Sequence, residues 1–266
     1  MTRQRLEPVN LMSHDLIDVN CQTVGYVLYL IYVGGVMAKL VMALRCIDGV
    51  VLGGDVPFGD ISENEDVIRP LSQSVAILIH DDRLFGNWLV DEFLASSPKV
   101  DVPIEEIAEQ AHSFFDSKCQ ELADQHQPIP LIGTIVAGVD WNGTGEIELY
   151  GLHVGNRFTP IIFGGNVFGG EYNAIARFLD HKIHTFTISM DNALQLAALY
   201  FVETRSVPAL QLEPSLNLAT IAYDRGFQTV NRERVKECLS QASRWSERLF
   251  AACTSVFSIP DSEIEE

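Results

Sequence analysis

Three clusters in this 266-residue sequence carry side chains able to do chemistry. His80-Asp81-Asp82 sets an imidazole beside two carboxylates, a group that could move protons or hold a metal ion. Its plainer reading is a strand end leading into a helix, because an Asp at a helix start accepts from free backbone N–H groups. Asp180, His181 and His184 form an HxxH pair at helical spacing. Such a pair could bind metal, although histidines at a helix end beside a loop are commonly structural or solvated. Gly164-Gly165 and Gly169-Gly170 could cradle a phosphate before a helix, but Glu171 would repel an anion at the first turn. Tight turns are the simpler role for these glycines. Asp55 is either the remnant of a site or a turn carboxylate bonded to nearby backbone. The sequence has no GxSxG, Walker, HExxH or CxxC motif, and no cofactor or metal is expected.

Charge narrows the partners. Lys and Arg number 18 against 36 Asp and Glu, a formal net charge of −18. Phosphate binding needs clustered cations, so nucleic acid and anionic membrane surfaces are not expected partners. The excess reads as solubility. Cys21, Cys46, Cys119, Cys238 and Cys253 are scattered and odd in number, which suggests reduced thiols and a cytoplasmic location. Cys119 and Cys238 fall within predicted helices and read as packing residues. Asn142-Gly143-Thr144 reads as a turn.

These residues must be carried by regular elements. Lys39–Ile47 is rich in strand formers, and Asp48-Gly49 before Val50-Val51-Leu52 is a strong hairpin signal. Val67–Leu71 and Val75–Ile79 predict a second hairpin. Arg83–Ser96 has Leu84, Phe85, Trp88, Leu89, Phe93 and Leu94 near helical spacing. Pro103–His126 predicts a longer helix with Glu105 and Glu106 at its positive end. Strands are predicted over Leu131–Val139, Glu146–Leu152 and Thr159–Phe163. Helices follow over Glu171–Asp180 and Asp191–Glu203, the second capped by Ser189. Leu216–Tyr223 and Phe227–Val230 predict a hairpin turned at Asp224-Arg225-Gly226. A last helix is capped by Asn231 and striped by Val235, Leu239, Ala242, Trp245 and Leu249. Grouped hairpins and paired helices predict an α+β sandwich with antiparallel sheets and outer helices.

Residues 1–36 form an uncertain amino-terminal extension. Val24–Ala38 is nearly all apolar, and Val19–Ala38 carries no charge, just long enough to cross a bilayer. Three readings stand: a membrane helix, an extra strand or packed helix, or sequence ahead of a start at Met37. A membrane role is disfavoured because Asn20, Gln22 and Thr23 dilute the segment, and Arg3, Arg5, Glu7, Asp15 and Asp18 fit a signal peptide poorly. Residues 37–258 are expected to form one domain and 259–266 an acidic tail.

The segments CIDGVVLGGD at 46–55, VIRPLSQSVAILI at 67–79 and TIVAGVDWNGTGEIELYGLHVGN at 134–156 together resemble the proteasome family. SMDNALQLAALYFVET at 189–204 and NLATIAYDRGFQTVNRERVKECL at 217–239 extend the resemblance to the bacterial relatives of its β subunits. It covers Lys39 to Leu239. The resemblance implies a four-layer αββα sandwich of the N-terminal nucleophile (Ntn) hydrolase type. It also implies assembly into rings, as a homo-oligomer or with paralogous subunits, and a peptide or protein substrate.

In that family an amino-terminal Thr attacks the substrate carbonyl while its own α-amine takes the proton. A Lys and an Asp tune the site, and a Gly N–H stabilises the oxyanion. Carried onto this sequence, the family Asp matches Asp55 and the nucleophile position falls on Lys39. The Lys position falls on Val67 and the oxyanion Gly position on Asp81. Only Asp55 keeps the expected residue type. From Val24 through Arg45 there is no Ser, Thr or Cys. The expectation is a non-catalytic proteasome-like subunit. The alternative is a threonine-peptidase-type hydrolase whose nucleophile is unrecognised or exposed by processing, with Cys21, Thr23 and Cys46 as the candidates.

Overall fold

Gly49 turns the first hairpin. Its φ is 147°, and a side-chain carbon there would lie 2.0 Å from the Ile221 carbonyl oxygen. The position therefore admits only glycine, and it lets a third strand lie against the hairpin. The computed structural model describes residues 37–56, 67–96, 98, 102–140, 145–183, 187–207 and 215–257. These all fall in one compact unit, Val36–Glu266. Residues 1–36, the Asn142-Gly143-Thr144 turn, His184 and the acidic tail lie outside the described residues.

The strands in chain order are β1 (Met37–Ala38), β2 (Val41–Cys46), β3 (Gly49–Val56), β4 (Ile68–Pro70), β5 (Val75–Asp82), β6 (Ile132–Val139), β7 (Ile147–His153), β8 (Ile161–Ile162), β9 (Val167–Gly169), β10 (Ser215–Ala222) and β11 (Gly226–Thr229). The helices are α1 (Arg83–Ala95), α2 (Ile104–Asp124), α3 (Asn173–Ile183), α4 (Met190–Arg205) and α5 (Arg232–Phe257). One antiparallel sheet runs β1-β5-β6-β7-β8, with β4 sharing the β5 edge beside β1. The other runs β11-β10-β3-β2-β9.

Side-chain alternation divides the core into three layers. Val41, Ala43, Leu52, Leu78, Ile135 and Leu149 meet between the sheets. On the far side of the five-stranded sheet, Leu40, Met42 and Leu44 pack on Ala197, Phe201 and Cys238 from α4 and α5. Beyond the six-stranded sheet, Ile77, Ile79 and Val136 pack on Phe93 and Phe115 from α1 and α2. Both faces of each central strand are buried, so these strands read as continuous apolar runs. Each fully buried Leu or Ile contributes about 1.5–3 kcal/mol. The expected four-layer αββα sandwich is the fold observed.

The helix caps form as the sequence predicts. Ser189 accepts from the Asn192 N–H, Asn231 from Arg234 and Asp82 from Phe85. Four details differ. Leu84 and Trp88 of α1 are 51% and 40% exposed, so the buried stripe is Leu89, Val90 and Phe93 instead. Leu249 is likewise exposed on α5, where Val235, Cys238 and Ala242 make the contact. The strand expected over Thr159–Phe163 shortens to β8. Finally, β1 and β9 are additional strands, too short to leave a periodic signal.

Candidate functional site

The four family-equivalent positions converge at one end of the interface between the sheets, around the start of β2. Asp55 on β3 is fully buried and accepts from the Leu40 N–H at 2.8 Å. Its own N–H donates to the Leu40 carbonyl at 3.0 Å, fixing the residue after Lys39 from both sides. Lys39 itself is held by its carbonyl, which accepts from the Tyr172 N–H at 2.9 Å. Gly170, with φ of 89°, allows this approach, since a side-chain carbon there would lie 2.5 Å from the Lys39 carbonyl oxygen. The Lys39 ammonium sits 6.0 Å from the centroid of the Tyr172 ring. Burial first, then the carboxylates of Glu171 and Asp55, raise the pKa of that phenol.

Val67 is completely buried, and its Cγ2 lies 2.6 Å from where a side-chain carbon of Gly54 would be. The position implied for a lysine therefore abuts the residue before Asp55, but it contributes an isopropyl group and no charge. Asp81 lies across the antiparallel register from Ala38. Its φ is 65°, in the region that favours glycine and that Asp tolerates better than most residues. The backbone here has the conformation suited to a glycine, while the side chain is a carboxylate.

That conformation has a chemical consequence. Successive strand residues ordinarily point to opposite faces. The left-handed turn at Asp81 instead brings its carboxylate back to its neighbour, so that His80 Nδ1 and Asp81 Oδ2 are 2.8 Å apart. His153, from the end of β7, brings its Nε2 to 4.0 Å from the same oxygen. The two imidazoles stack with centroids 6.3 Å apart. Burial and the neighbouring His80 lower the pKa of His153, and Asp81 partly opposes them. The His80-Asp81-Asp82 triplet thus divides: Asp82 is the helix cap already described, whereas His80 and Asp81 join a distant histidine. His153 was missed from sequence. Its signal was parity, since Ile147, Leu149, Gly151 and His153 share the interface-facing side of one strand.

Asp180 and the Gly164-Gly165 turn have structural partners, and His184 lies outside the described residues. Asp180 Oδ1 accepts from Asn166 Nδ2 at 2.6 Å and from the Tyr200 hydroxyl at 3.0 Å, while His181 is exposed. The Gly164-Gly165 turn presents a carbonyl rather than an N–H cradle: Gly164 O accepts from the Arg45 guanidinium at 2.8 Å. Phe163 O and Ile147 O accept from the same group. Cys46 Sγ donates to the Gly49 carbonyl at 3.0 Å, and burial first pushes its pKa up to about 12. It is not a ready nucleophile. Among the described residues no cluster of His, Cys, Asp or Glu suits a metal ion, and no helix is long and apolar enough to cross a membrane.

The two sheets and their helical layers define the class: a four-layer αββα sandwich. Among solved structures, the chain is similar to Anbu (ancestral beta-subunit) from Yersinia bercovieri, with a TM-score of 0.65 over 85% of this chain and 100% of that one. Sequence identity is 10%, so the likeness is one of fold. No protein-family model and no curated protein sequence matches the chain.

Proposed function

We propose that this chain is a proteasome-like subunit without N-terminal-nucleophile activity, acting through assembly or binding as a homo-oligomer or beside paralogous subunits in a ring. The observation that carries the reading is the pairing of Ala38 with Asp81. The position a nucleophile would occupy is Lys39, and the chain enters it from a strand hydrogen-bonded to the segment that would have to stabilise an oxyanion. A carboxylate at that position repels developing negative charge, where a donor is needed. An isopropyl group at Val67 cannot tune a nucleophile. Asp55 remains, and its bond to Leu40 N gives it a structural task.

Sedimentation velocity on the purified chain tests assembly, and a strict monomer at micromolar concentration would sink the ring proposal. Amino-terminal sequencing, with hydrolysis of fluorogenic peptides on the same sample, tests the absence of catalysis. A mature chain beginning at Cys21, Thr23 or Cys46 and turning over peptides would replace this reading with the threonine-peptidase-type alternative.

A further inference from the structure

His80 occupies a slot that the sequence keeps open with two glycines. A side-chain carbon at Gly133 on β6 would lie 2.0 Å from His80 Cε1, and one at Gly169 on β9 would lie 2.4 Å from its Cδ2. Gly133 belongs to the same sheet as His80, and Gly169 to the opposite one. One imidazole therefore bridges the sheets at the end of the interface where β2 begins. β9 in turn pairs Gly169 with Val41, and Gly170 abuts Lys39.

The protonation pattern of the cluster follows from its bonds. His153 Nδ1 accepts from the Gly155 N–H at 2.9 Å, so the neutral ring carries its proton on Nε2, facing Asp81. A ring in that tautomer has no lone pair on Nε2 for a metal ion, and the glycine slot leaves no room for a substrate atom against His80. Proton binding is what the arrangement can do. β5 contributes Asp81, β7 contributes His153, and β6 and β9 face the His80 ring with glycine. Asp82 turns away to cap α1. Arg157, beyond β7, is engaged by Asp116 of α2. Among the described residues, Asp81 is the carboxylate that meets both imidazoles, whose side chains are 13% and 43% exposed for His80 and His153.

We propose that His80, Asp81 and His153 form a proton-operated latch: Asp81 compensates one imidazolium, and a second proton drives the His80 ring out of the glycine slot, releasing β9 and the start of β2. The first proton strengthens the His80–Asp81 contact. The second puts two cations side by side with one anion, which favours any opening that lets water separate them. The depressed pKa of His153 agrees with a closed state that resists the second proton.

Hydrogen exchange on the full chain at pH 7.5 and 5.5, corrected for intrinsic rates, reads the latch. Peptides spanning Val167–Gly169 and Ala38–Leu40 should open severalfold more at the lower pH. Peptides across β10 and β11 should not respond. His153→Gln should remove the difference, and Asp81→Asn should enlarge it. An unresponsive wild type, or equal acceleration in wild type and His153→Gln, overturns the proposal. NMR titration of the wild-type His153 imidazole gives a reading free of variants: its step is expected below the ordinary 6.5, and a step at or above that value refutes the closed state.

Discussion

Gly133→Ala is the sharpest probe of the slot. The added methyl would lie 2.0 Å from His80 Cε1 and 2.3 Å from its Nε2. Gly133 lies in β6, between β5 and β7, so its backbone cannot yield and the imidazole must move. Overpacking of this kind costs about 1–3 kcal/mol. Displacing His80 also breaks its contact with Asp81, so a cost of about 2–3 kcal/mol is expected. For a chain of this size about 1 kcal/mol shifts the melting point by roughly 2–4 °C, which places the variant roughly 4–12 °C below wild type. Urea denaturation at pH 7.5 should give a lower midpoint with unchanged slope. Gly164→Ala is the control: nothing lies within 4 Å of the new carbon, and its effect should stay within about 0.5 kcal/mol. The decisive sample is the double variant. In a His80→Ala background the slot is empty, so Gly133→Ala should cost little and the cycle should show a coupling of about 2 kcal/mol. An equal penalty with and without the imidazole would refute the claim that Gly133 is kept small for His80.

Three further outcomes follow from the site and its surroundings. Asp55→Asn should keep the fold but lower stability by about 1.5–3 kcal/mol in urea titrations, because the buried acceptor of the Leu40 N–H loses its charge. In native protein at pH 8, Cys46 should react far more slowly with a disulfide reagent than in unfolded protein. A pKa near 12 instead of 9.0 lowers the thiolate fraction from about one in ten to about one in ten thousand; a rapid native reaction at Cys46 would reopen its candidacy as a nucleophile. Acid should weaken the fold through His153: its folded-state pKa lies below 6.5, so the unfolded chain binds the proton more readily. Stability is intact above pH 6.5 and falls as the pH drops through that value toward the folded-state pKa. His153→Gln should flatten this part of the profile of urea midpoint against pH.

The fold was readable because its signals are local. Asp48-Gly49 marks a turn, Ser189 and Asn231 mark helix starts, and runs such as Leu131–Val139 are apolar because both faces of the strand are covered. Which face of α1 is buried was not readable. Leu84, Phe85, Trp88, Leu89 and Phe93 offer more apolar surface than one stripe needs, and the positions of β5, β6 and α2 decide among them. Strands of two or three residues such as β1 and β9 carry no period at all; their pairing is dictated by neighbours 43 and 128 positions away, Ala38 with Asp81 and Val41 with Gly169. The histidine pair was hidden for the same reason. His80 was visible beside its carboxylates, but His153 joins it only through the register of β5 with β6 and β6 with β7.

Asp81 shows why side-chain loss and backbone change need to be judged separately. A position where the resemblance implies glycine still has a left-handed φ of 65°, although an L side chain there is strained and Asp is among the few that tolerate it. Relaxing that strain would turn the carboxylate to the other face of β5, away from His80, and would disturb the pairing of Asp81 with Ala38. The strain therefore persists because two contacts depend on it. Neither contact has a counterpart in nucleophilic chemistry: one closes the strand that precedes Lys39, and the other orients an imidazole between the sheets. The left-handed conformation, carrying a carboxylate bonded to His80, is what the proposed latch requires.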